Sequence, residues 1–321
     1  FVRSLGAGTA GFLNTAFIIG RGREAAAFEP QEHVLPMRED EVIRISSNEN
    51  ARGPGPRAML ALHEAITPRL GRGYPPDYTG ELVATIARVS GVETSNVVVG
   101  TGSGPILAAA AHAFTSPDRP LVTAAPTYAT TEQNARRRGA EIRAVRVNPN
   151  DLSLDLQGML DAARGAGLIF FCNPNNPTGT AHRADVVEDF VRQVKRRSPD
   201  TAILIDEAYM DYSFDPGVRT AVPLAMEFPG VFVSRTMSKA HGMAGLRVGY
   251  AIGQPETVSA LTAAWHLGSM NTLSAAAAIA SLEDTDHIAE EVKENARIRD
   301  FVQNAFRAMG YPVHDHHTNC I

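Results

Sequence analysis

The 321-residue sequence has few cysteines, few aromatic side chains and no excess of basic residues. Its two cysteines, Cys172 and Cys320, lie far apart without metal-type spacing, which argues against a disulfide framework or a zinc site. With 30 lysines and arginines against 35 aspartates and glutamates, the chain carries no basic footprint for nucleic acid. Hydrophobic residues make up 44% of the chain, as expected of a globular protein with a substantial core. Cys172, within the apolar run LIFFC, is predicted to be a small buried side chain.

The first 27 residues form a weakly apolar segment rich in glycine and alanine, too short and too broken at Asn14 to span a membrane. The segment resembles the end of a twin-arginine export signal whose arginine pair would lie just upstream of Phe1. We therefore expect export to the periplasm, with a cytoplasmic location as the alternative. Glycines at 6, 8 and 11 match the dinucleotide-binding pattern G-x-G-x-x-G, but no strand precedes them, so we interpret this match as chance.

Seven apolar, β-rich runs predict the strands of one sheet. They occupy residues 96–100, 121–124, 141–147, 168–172, 202–206, 231–235 and 248–252. Helical patterns separate the earlier runs, at residues 105–114, 128–138 and 183–197. This alternation predicts an α/β fold with a mostly parallel sheet, in which the short connection between the last two strands favours one antiparallel pair. After Gly253 the pattern becomes helical, at 255–267, 273–282 and 285–309, and residues 310–321 begin a strand-like segment.

Polar residues follow several strands at the edge where open α/β sheets bind their ligands. The stretch TGSGP, residues 101–105, opens a helix with small residues that admit an anion to backbone N–H groups, although a tight turn alone would also explain it. The loop NPNNPTG, residues 173–179, is either a plain turn or a device that brings the amide of Asn176 to the ligand edge. Asp206 ends the fifth strand, where a buried carboxylate needs a partner. A helix N-cap would account for Asp206 but not for Tyr209, three residues later.

The sixth strand is followed by two hydroxyls, a lysine and an arginine, namely Thr236, Ser238, Lys239 and Arg247. Two hydroxyls and an arginine suit a phosphate, and a lysine amine suits a Schiff base once burial and neighbouring cations lower its pKa. The strand ends thus combine an anion cradle, a buried carboxylate, a phenol, an amide and an amine. Pyridoxal phosphate requires that set, because its phosphate must be anchored, its aldehyde condenses with a lysine, and its ring nitrogen is kept protonated by an aspartate.

The motifs NPNNPTG, DEAY and SKAHGMAGLRVGY, in this order, resemble the signatures of class I and II aminotransferases of fold type I, in particular the histidinol-phosphate aminotransferase branch. Further matches are SSNEN at 46–50, RGYP at 72–75 and PTY at 126–128. The resemblance implies a three-layer fold with bound pyridoxal phosphate and a ping-pong transfer of an amino group to a 2-oxo acid. After the signal-like segment at 1–27, we expect an arm at 28–70, a large cofactor-binding domain at 71–253 and the start of a smaller α+β domain at 254–321.

The resemblance implies a role for individual residues. Lys239 corresponds to the lysine that binds the cofactor, Asp206 to the partner of the ring nitrogen, and Tyr128 to the aromatic side chain that stacks on the ring. Tyr209 and Asn176 correspond to the donors to the ring hydroxyl. The phosphate shell would consist of Gly102, Ser103, Gly104, Thr236, Ser238 and Arg247.

Tyr74 resembles the tyrosine that reaches the phosphate of the other subunit, which implies a homodimer with shared sites. Two features depart from the family: Gly104-Pro105 replaces a frequent acidic pair, and the arginine that binds the substrate's carboxylate is expected beyond Ile321. A decarboxylase or lyase of the same fold, such as a threonine-phosphate decarboxylase, stays open as an alternative. A cofactor-binding regulator without enzymatic activity would need a DNA-binding module, and no basic helix-turn-helix segment precedes residue 45.

Overall fold

The computed structural model describes residues 45–67, 70 and 77–320, and the described residues belong to one compact unit. Their strands form one seven-stranded sheet in the order β1-β7-β6-β5-β4-β2-β3. The strands are β1 Val97–Thr101, β2 Leu121–Ala125, β3 Ile142–Arg146, β4 Leu168–Cys172, β5 Ala202–Asp206, β6 Val231–Thr236 and β7 Val248–Gly253. Strands β2 to β6 run parallel, and β7 is antiparallel to both β1 and β6. All seven predicted strands and the antiparallel last pair are confirmed.

Ten helices flank the sheet in the described residues. They are α1 Pro56–Ala65, α2 Asp77–Ser90, α3 Ser103–Phe114, α4 Thr130–Arg137, α5 Leu156–Ala162, α6 Ala184–Arg197, α7 Val222–Glu227, α8 Pro255–Ala264, α9 Thr272–Glu283 and α10 Thr285–Ala308. None of these helices is both long and apolar enough to span a membrane.

The two faces of the sheet pack into separate cores, because side chains alternate along a strand. In β4, Leu168 and Phe170 belong to the core that also includes residues of α3, while Ile169 and Phe171 belong to the core that includes residues of α6. Every residue of β4 and β5 is buried, which explains why both strands read as continuous apolar runs. The result is a three-layer α/β structure, as predicted, with Cys172 buried in it.

The strand register brings three chain segments together at the carboxyl edge of the sheet. Cys172 at the end of β4 pairs with Asp206 at the end of β5, and Asp206 pairs with Ser234 in β6. Loops that follow these parallel strands therefore emerge side by side, as expected for an open α/β sheet. This edge is where the predicted site residues meet.

The strand-like segment predicted at 310–321 is wrong for its described part, since residues 310–320 contain no strand. The segment instead makes single contacts with different elements. The backbone N–H of His317 donates to the carbonyl of Gly179 at 2.7 Å, and the amide of Gln303 in α10 lies 2.9 Å from Nδ1 of His316. Other contacts reach Asn48 and Ser213, and none of these hydrogen bonds pairs the segment with a strand. The predicted division into domains stays a prediction, and residues 1–44, with the glycines at 6, 8 and 11, lie outside the described residues.

Candidate active site

A cavity of about 670 Å³ opens at the carboxyl edge of β4, β5 and β6. The predicted residues that line it are Ser103, Gly104, Tyr128, Asn176, Asp206, Tyr209, Thr236, Ser238, Lys239 and Arg247. Gly102 precedes this lining directly, at the N-cap of α3. Tyr74 lies outside the described residues. Sequence positions spread over more than 140 residues thus converge on one space.

Asp206 is a buried carboxylate that faces the cavity and has few partners for its charge. Only 2% of the residue is exposed, and the hydroxyl of Ser234 donates to its Oδ1 at 2.7 Å. Burial raises the pKa of Asp206 to about 6, and the Ser234 hydroxyl offsets only part of this effect. Within the described part of the chain, no lysine, arginine or histidine nitrogen forms an ion pair with this carboxylate. Asp206 is therefore suited to a cationic group that enters from the cavity.

The amine of Lys239 is held by two backbone carbonyls. Its Nζ donates to the carbonyl oxygens of Ser47 at 2.9 Å and Asn48 at 3.1 Å. Burial lowers the pKa of Lys239, and the nearby charge of Arg247 acts in the same direction. When the amine loses its proton, its two N–H groups can serve these two carbonyls and one lone pair remains. The lone pair is then free to accept a proton or to attack an electrophile.

The phenol of Tyr209 accepts hydrogen bonds from two amides. Nδ2 of Asn48 lies 3.0 Å from the Tyr209 oxygen, and Nδ2 of Asn176 lies 3.3 Å from it. Burial raises the pKa of Tyr209 well above its usual range, so the phenol keeps its proton. Because both amides donate to the oxygen, the O–H group remains available to donate toward the cavity.

The loop NPNNPTG divides its asparagines between structure and site. Asn175 is fully buried and holds the loop, since its Nδ2 donates to the carbonyl of Pro126 and its Oδ1 accepts from the hydroxyl of Thr127 at 2.6 Å. Asn173 exchanges hydrogen bonds with the backbone of His182. Asn176 alone among the three lines the cavity. The loop thus contains asparagines that hold its turn and one, Asn176, whose role as an amide at the ligand edge stays a prediction.

The other end of the cavity combines hydroxyls, an arginine and a helix N-terminus. The hydroxyls of Thr236 and Ser238 lie 2.9 Å apart. Arg247 adopts a left-handed backbone with φ of 57°, which is uncommon for a residue other than glycine, and its Nη1 donates to the carbonyl of Ala244 at 2.8 Å. Gly102 has a φ of 85°, and a side chain at this position would collide with the Arg247 guanidinium. The first turn of α3 begins at Ser103, so this corner presents donors and a positive helix end to an anion.

The structure adds lining residues to which the sequence assigned no role: Ser46, Ser47, Asn48, Glu49, Cys172, Pro177, Ala208, Ala244 and Cys320. The segment SSNEN contributed to the family resemblance, which was the only signal available for Asn48. The contacts of Asn48 with Tyr209 and Lys239 join residues that are 161 and 191 positions apart in the sequence. Cys320 reaches the cavity because Asn319 donates to the carbonyl of Asn48 at 3.0 Å.

Comparisons with known proteins identify the family of the chain. Residues 40–321 match the family of class I and II aminotransferases. A histidinol-phosphate aminotransferase of Limosilactobacillus fermentum is 36% identical over 275 residues, which cover 84% of this chain and 75% of that protein. The histidinol-phosphate aminotransferase of Sinorhizobium meliloti, crystallised with pyridoxal-5'-phosphate, matches with a TM-score of 0.77 and 27% identity, covering 85% of this chain and 72% of that one. L-threonine-O-3-phosphate decarboxylase of Porphyromonas gingivalis shares the fold, with a TM-score of 0.68, 21% identity and coverage of 83% and 80% of the two chains.

Proposed function

Because this chain belongs to the class I and II aminotransferase family, whose members use pyridoxal phosphate, we propose that it transfers the amino group of an amino phosphate or amino acid to a 2-oxo acid. Histidinol phosphate is the leading amino donor, since the relative at 36% identity is named for that substrate. The observation that carries the proposal is the convergence of Lys239, Asp206 and Tyr209 on one cavity. The predicted roles of the lining residues belong to this proposal.

The cavity fits pyridoxal phosphate at its two ends. At one end, Asp206 is buried with a hydroxyl donor and forms no ion pair within the described residues, which suits a protonated ring nitrogen. At the other end, the Arg247 guanidinium lies close to Gly102 at the N-terminus of α3, so a phosphate bound there would meet both a cation and the positive helix end. When bound there, the cofactor supplies an electron sink for the bond that breaks at the substrate's Cα. Tyr128, exposed at the cavity, would lie against the ring.

The described side chains divide the proton chemistry among themselves. Lys239, whose Nζ the carbonyls of Ser47 and Asn48 hold, would take the Cα proton and later return it, acting as base and then as acid. The carbonyls of Ser47 and Asn48 orient the amine between these steps. Tyr209 donates its O–H into the cavity because Asn176 and Asn48 already donate to its oxygen. Asp206 keeps a negative charge beside the ring nitrogen once that cation is present.

A panel of half-reactions tests the proposal. The protein loaded with pyridoxal phosphate is mixed separately with histidinol phosphate, glutamate, an aromatic amino acid and phosphothreonine. Conversion of the cofactor from its aldehyde to its amine form is followed by absorbance, with product analysis. We expect histidinol phosphate to convert the cofactor fastest. If only an ordinary amino acid does so, the donor is wrong and the class stands. Release of carbon dioxide or ammonia without conversion would replace the aminotransferase by a decarboxylase or lyase.

We also propose that the protein is a homodimer with shared active sites. Tyr74 motivated this prediction, and described residues earlier in the chain support it. Met59 and Leu60 of α1 are 48% and 51% exposed, and Ile66 is 63% exposed, so apolar side chains are available for a partner. Sedimentation at assay concentration tests the proposal, and a fully active monomer would contradict it.

Export to the periplasm is likewise a proposal, with the cytoplasm as the alternative. It is supported by the signal-like composition of residues 1–27. Twin-arginine export carries folded proteins, which suits an enzyme that acquires its cofactor before export. Cell fractionation with N-terminal sequencing tests it. Protein found only in the cytoplasm, with residues 1–27 retained, would refute it.

A further inference from the structure

The side chain of Asn50 connects the loop that carries Lys239 to a helix outside the cavity. Its Nδ2 donates to the carbonyl of Ala240 at 3.3 Å and to Oε2 of Glu291 at 2.9 Å. Its Oδ1 accepts from the backbone N–H of Arg52 at 2.9 Å. Both N–H groups of the amide and its oxygen are thus engaged. Glu291 belongs to α10 and does not line the cavity.

Glu291 is a buried carboxylate whose partners come mainly from the segment before α1. The residue is 3% exposed. Nη1 of Arg52 lies 3.2 Å from its Oε1, and Nε2 of His287, one turn earlier on α10, lies 3.7 Å from the same oxygen. Asn50 donates to Oε2, while Oε1 has the charge of Arg52 beside it without a hydrogen bond in the described residues, so these two residues hold the segment 50–52 against α10.

Close packing fixes the same segment between the Lys239 loop and α10. A side chain at Gly242, three residues after Lys239, would collide with the backbone of Gly53 and Pro54. A side chain at Gly55 would collide with the ring of His287. The segment therefore has no room to slide. Its carbonyls two and three residues before Asn50 are the ones that hold the Lys239 amine.

We propose that Glu291 is a positioning residue for Lys239, which acts by holding Asn50 and, with it, the carbonyls of Ser47 and Asn48. This inference rests on the proposed function, in which the Lys239 amine binds pyridoxal phosphate. Without Glu291, one N–H of Asn50 loses its acceptor and the segment loses its anchor on α10. The Lys239 amine would then occupy the position that reacts with the cofactor for a smaller fraction of the time.

The test compares Glu291→Ala with Glu290→Ala, a change at an exposed neighbour on the same helix. Two quantities are measured on the purified full chain: the dissociation constant of pyridoxal phosphate, and the rate at which borohydride traps the cofactor on Lys239. We expect Glu291→Ala to weaken binding about tenfold and to slow trapping by a similar factor, the size of effect that follows when a buried donor loses its partner. Glu290→Ala should behave as wild type.

Two further variants separate positioning from mere support of the fold. Glu291→Gln keeps an oxygen that can accept from Asn50, so it should restore most of the trapping rate. Asn50→Ala should match Glu291→Ala, and the double variant should be no worse than either single one, because both act through the same contact. Normal trapping in Glu291→Ala despite a lower melting temperature, or additive losses in the double variant, would overturn the inference. Failure of the wild-type protein to trap the cofactor at Lys239 would instead overturn the proposed function.

Discussion

Two consecutive carboxylates, Asp206 at the end of β5 and Glu207 directly after it, have different surroundings in the protein. Asp206 faces the cavity and accepts a side-chain hydrogen bond from Ser234 alone. Glu207 faces the other side, where Nε and Nη2 of Arg235 donate to its Oε2 at 3.0 and 2.8 Å. Thr220 adds a hydroxyl at 2.9 Å, and the backbone N–H of Ala221 donates to Oε1 at 2.6 Å.

The hydrogen-bond partners distinguish Glu207, which stabilises the fold, from Asp206, which faces the cavity. Glu207 is 1% exposed and Asp206 is 2% exposed, so burial does not distinguish them. The partners do distinguish them: Glu207 has a guanidinium and two further donors, whereas Asp206 has the Ser234 hydroxyl, the backbone N–H of Ala208 and no ion pair among the described residues. Incomplete pairing of a buried charge at a sheet edge is thus a stronger indication of a ligand than burial itself.

The largest expected effect comes from Lys239→Arg, which keeps the positive charge but removes an amine that can lose its proton. Turnover should fall by about a thousandfold or more, since the general base and the attachment point disappear together. Borohydride reduction followed by peptide mapping should label Lys239 in the wild-type protein and nothing in the variant.

Lys195 supplies a matched control for this prediction. Its Nζ also donates to two backbone carbonyls, of Pro199 at 3.2 Å and Thr201 at 2.8 Å, and burial lowers its pKa to about 8. It lies at the end of α6, away from the cavity. Lys195→Arg should leave turnover and labelling unchanged. A label on Lys195 would show that a partly buried amine is sufficient and that the cavity is not required.

Glu207→Gln should mainly affect stability. The change leaves the guanidinium of Arg235, which is largely buried, without its closest charged partner. Breaking a buried ion pair in this way typically costs about 3–5 kcal/mol of unfolding free energy. Urea unfolding measures the loss, and cofactor binding at low temperature should be retained. If the variant unfolds with the wild-type free energy, Glu207 does not stabilise the fold and the proposed difference between the two carboxylates is wrong.

Asp206→Asn, unlike Glu207→Gln, should increase the unfolding free energy of the cofactor-free protein above pH 6. The folded-state pKa of Asp206 is raised from 3.8 to about 6, so between these values the native state binds more protons than the unfolded state. Stability of the wild-type protein therefore falls as the pH rises from about 4 to about 6, by about 3 kcal/mol in total. The variant lacks this loss and should be the more stable protein at pH 8.

Urea unfolding of both proteins at pH 4 and pH 8, without cofactor, checks this prediction. The same variant should bind the cofactor but lose most of its turnover, because the ring nitrogen is no longer held protonated. Normal turnover would refute the role of Asp206. A variant that is less stable than wild type at pH 8 would show that the carboxylate is a structural group like Glu207.

The sequence predicted the sheet and much of the site because both depend on short-range signals. Apolar runs identify β4 and β5, and polar residues directly after a strand must lie at its carboxyl end, which brings Asp206 and Lys239 to one edge. The individual roles came from the family resemblance. Alternation along the strand predicts that Asp206 and Glu207 face opposite sides, but their different compensation depends on Arg235, which comes from another strand.

Contacts between distant segments could not be predicted in this way. Asn48 and Cys320 join the cavity through hydrogen bonds that span 161 to 271 residues, and no local pattern encodes such pairings. The strand predicted after Gly310 failed for a related reason. A segment forms a strand only where a neighbouring strand can accept its backbone hydrogen bonds. In the described structure this segment instead contacts the loop at Gly179 and the side chain of Gln303.

The smallest expected effect concerns Asn48, whose amide donates to Tyr209 while its carbonyl accepts from Lys239. Its φ of 51° lies in the left-handed region, which asparagine and glycine tolerate and alanine does not. Asn48→Gly should therefore keep the carbonyl in place and remove only the amide. Turnover should fall about fivefold, in line with about 1 kcal/mol for one hydrogen bond.

Asn48→Ala removes the same amide but adds backbone strain of about 1–2 kcal/mol. Its turnover should fall at least as far as that of Asn48→Gly, and its unfolding free energy should be lower by about the strain. Kinetics and urea unfolding of the two variants separate the side chain from the backbone. If Asn48→Gly retains wild-type turnover while Asn48→Ala loses it, the amide contributes nothing to the reaction. The backbone carbonyl that holds Lys239 would then be the part of Asn48 that the reaction requires.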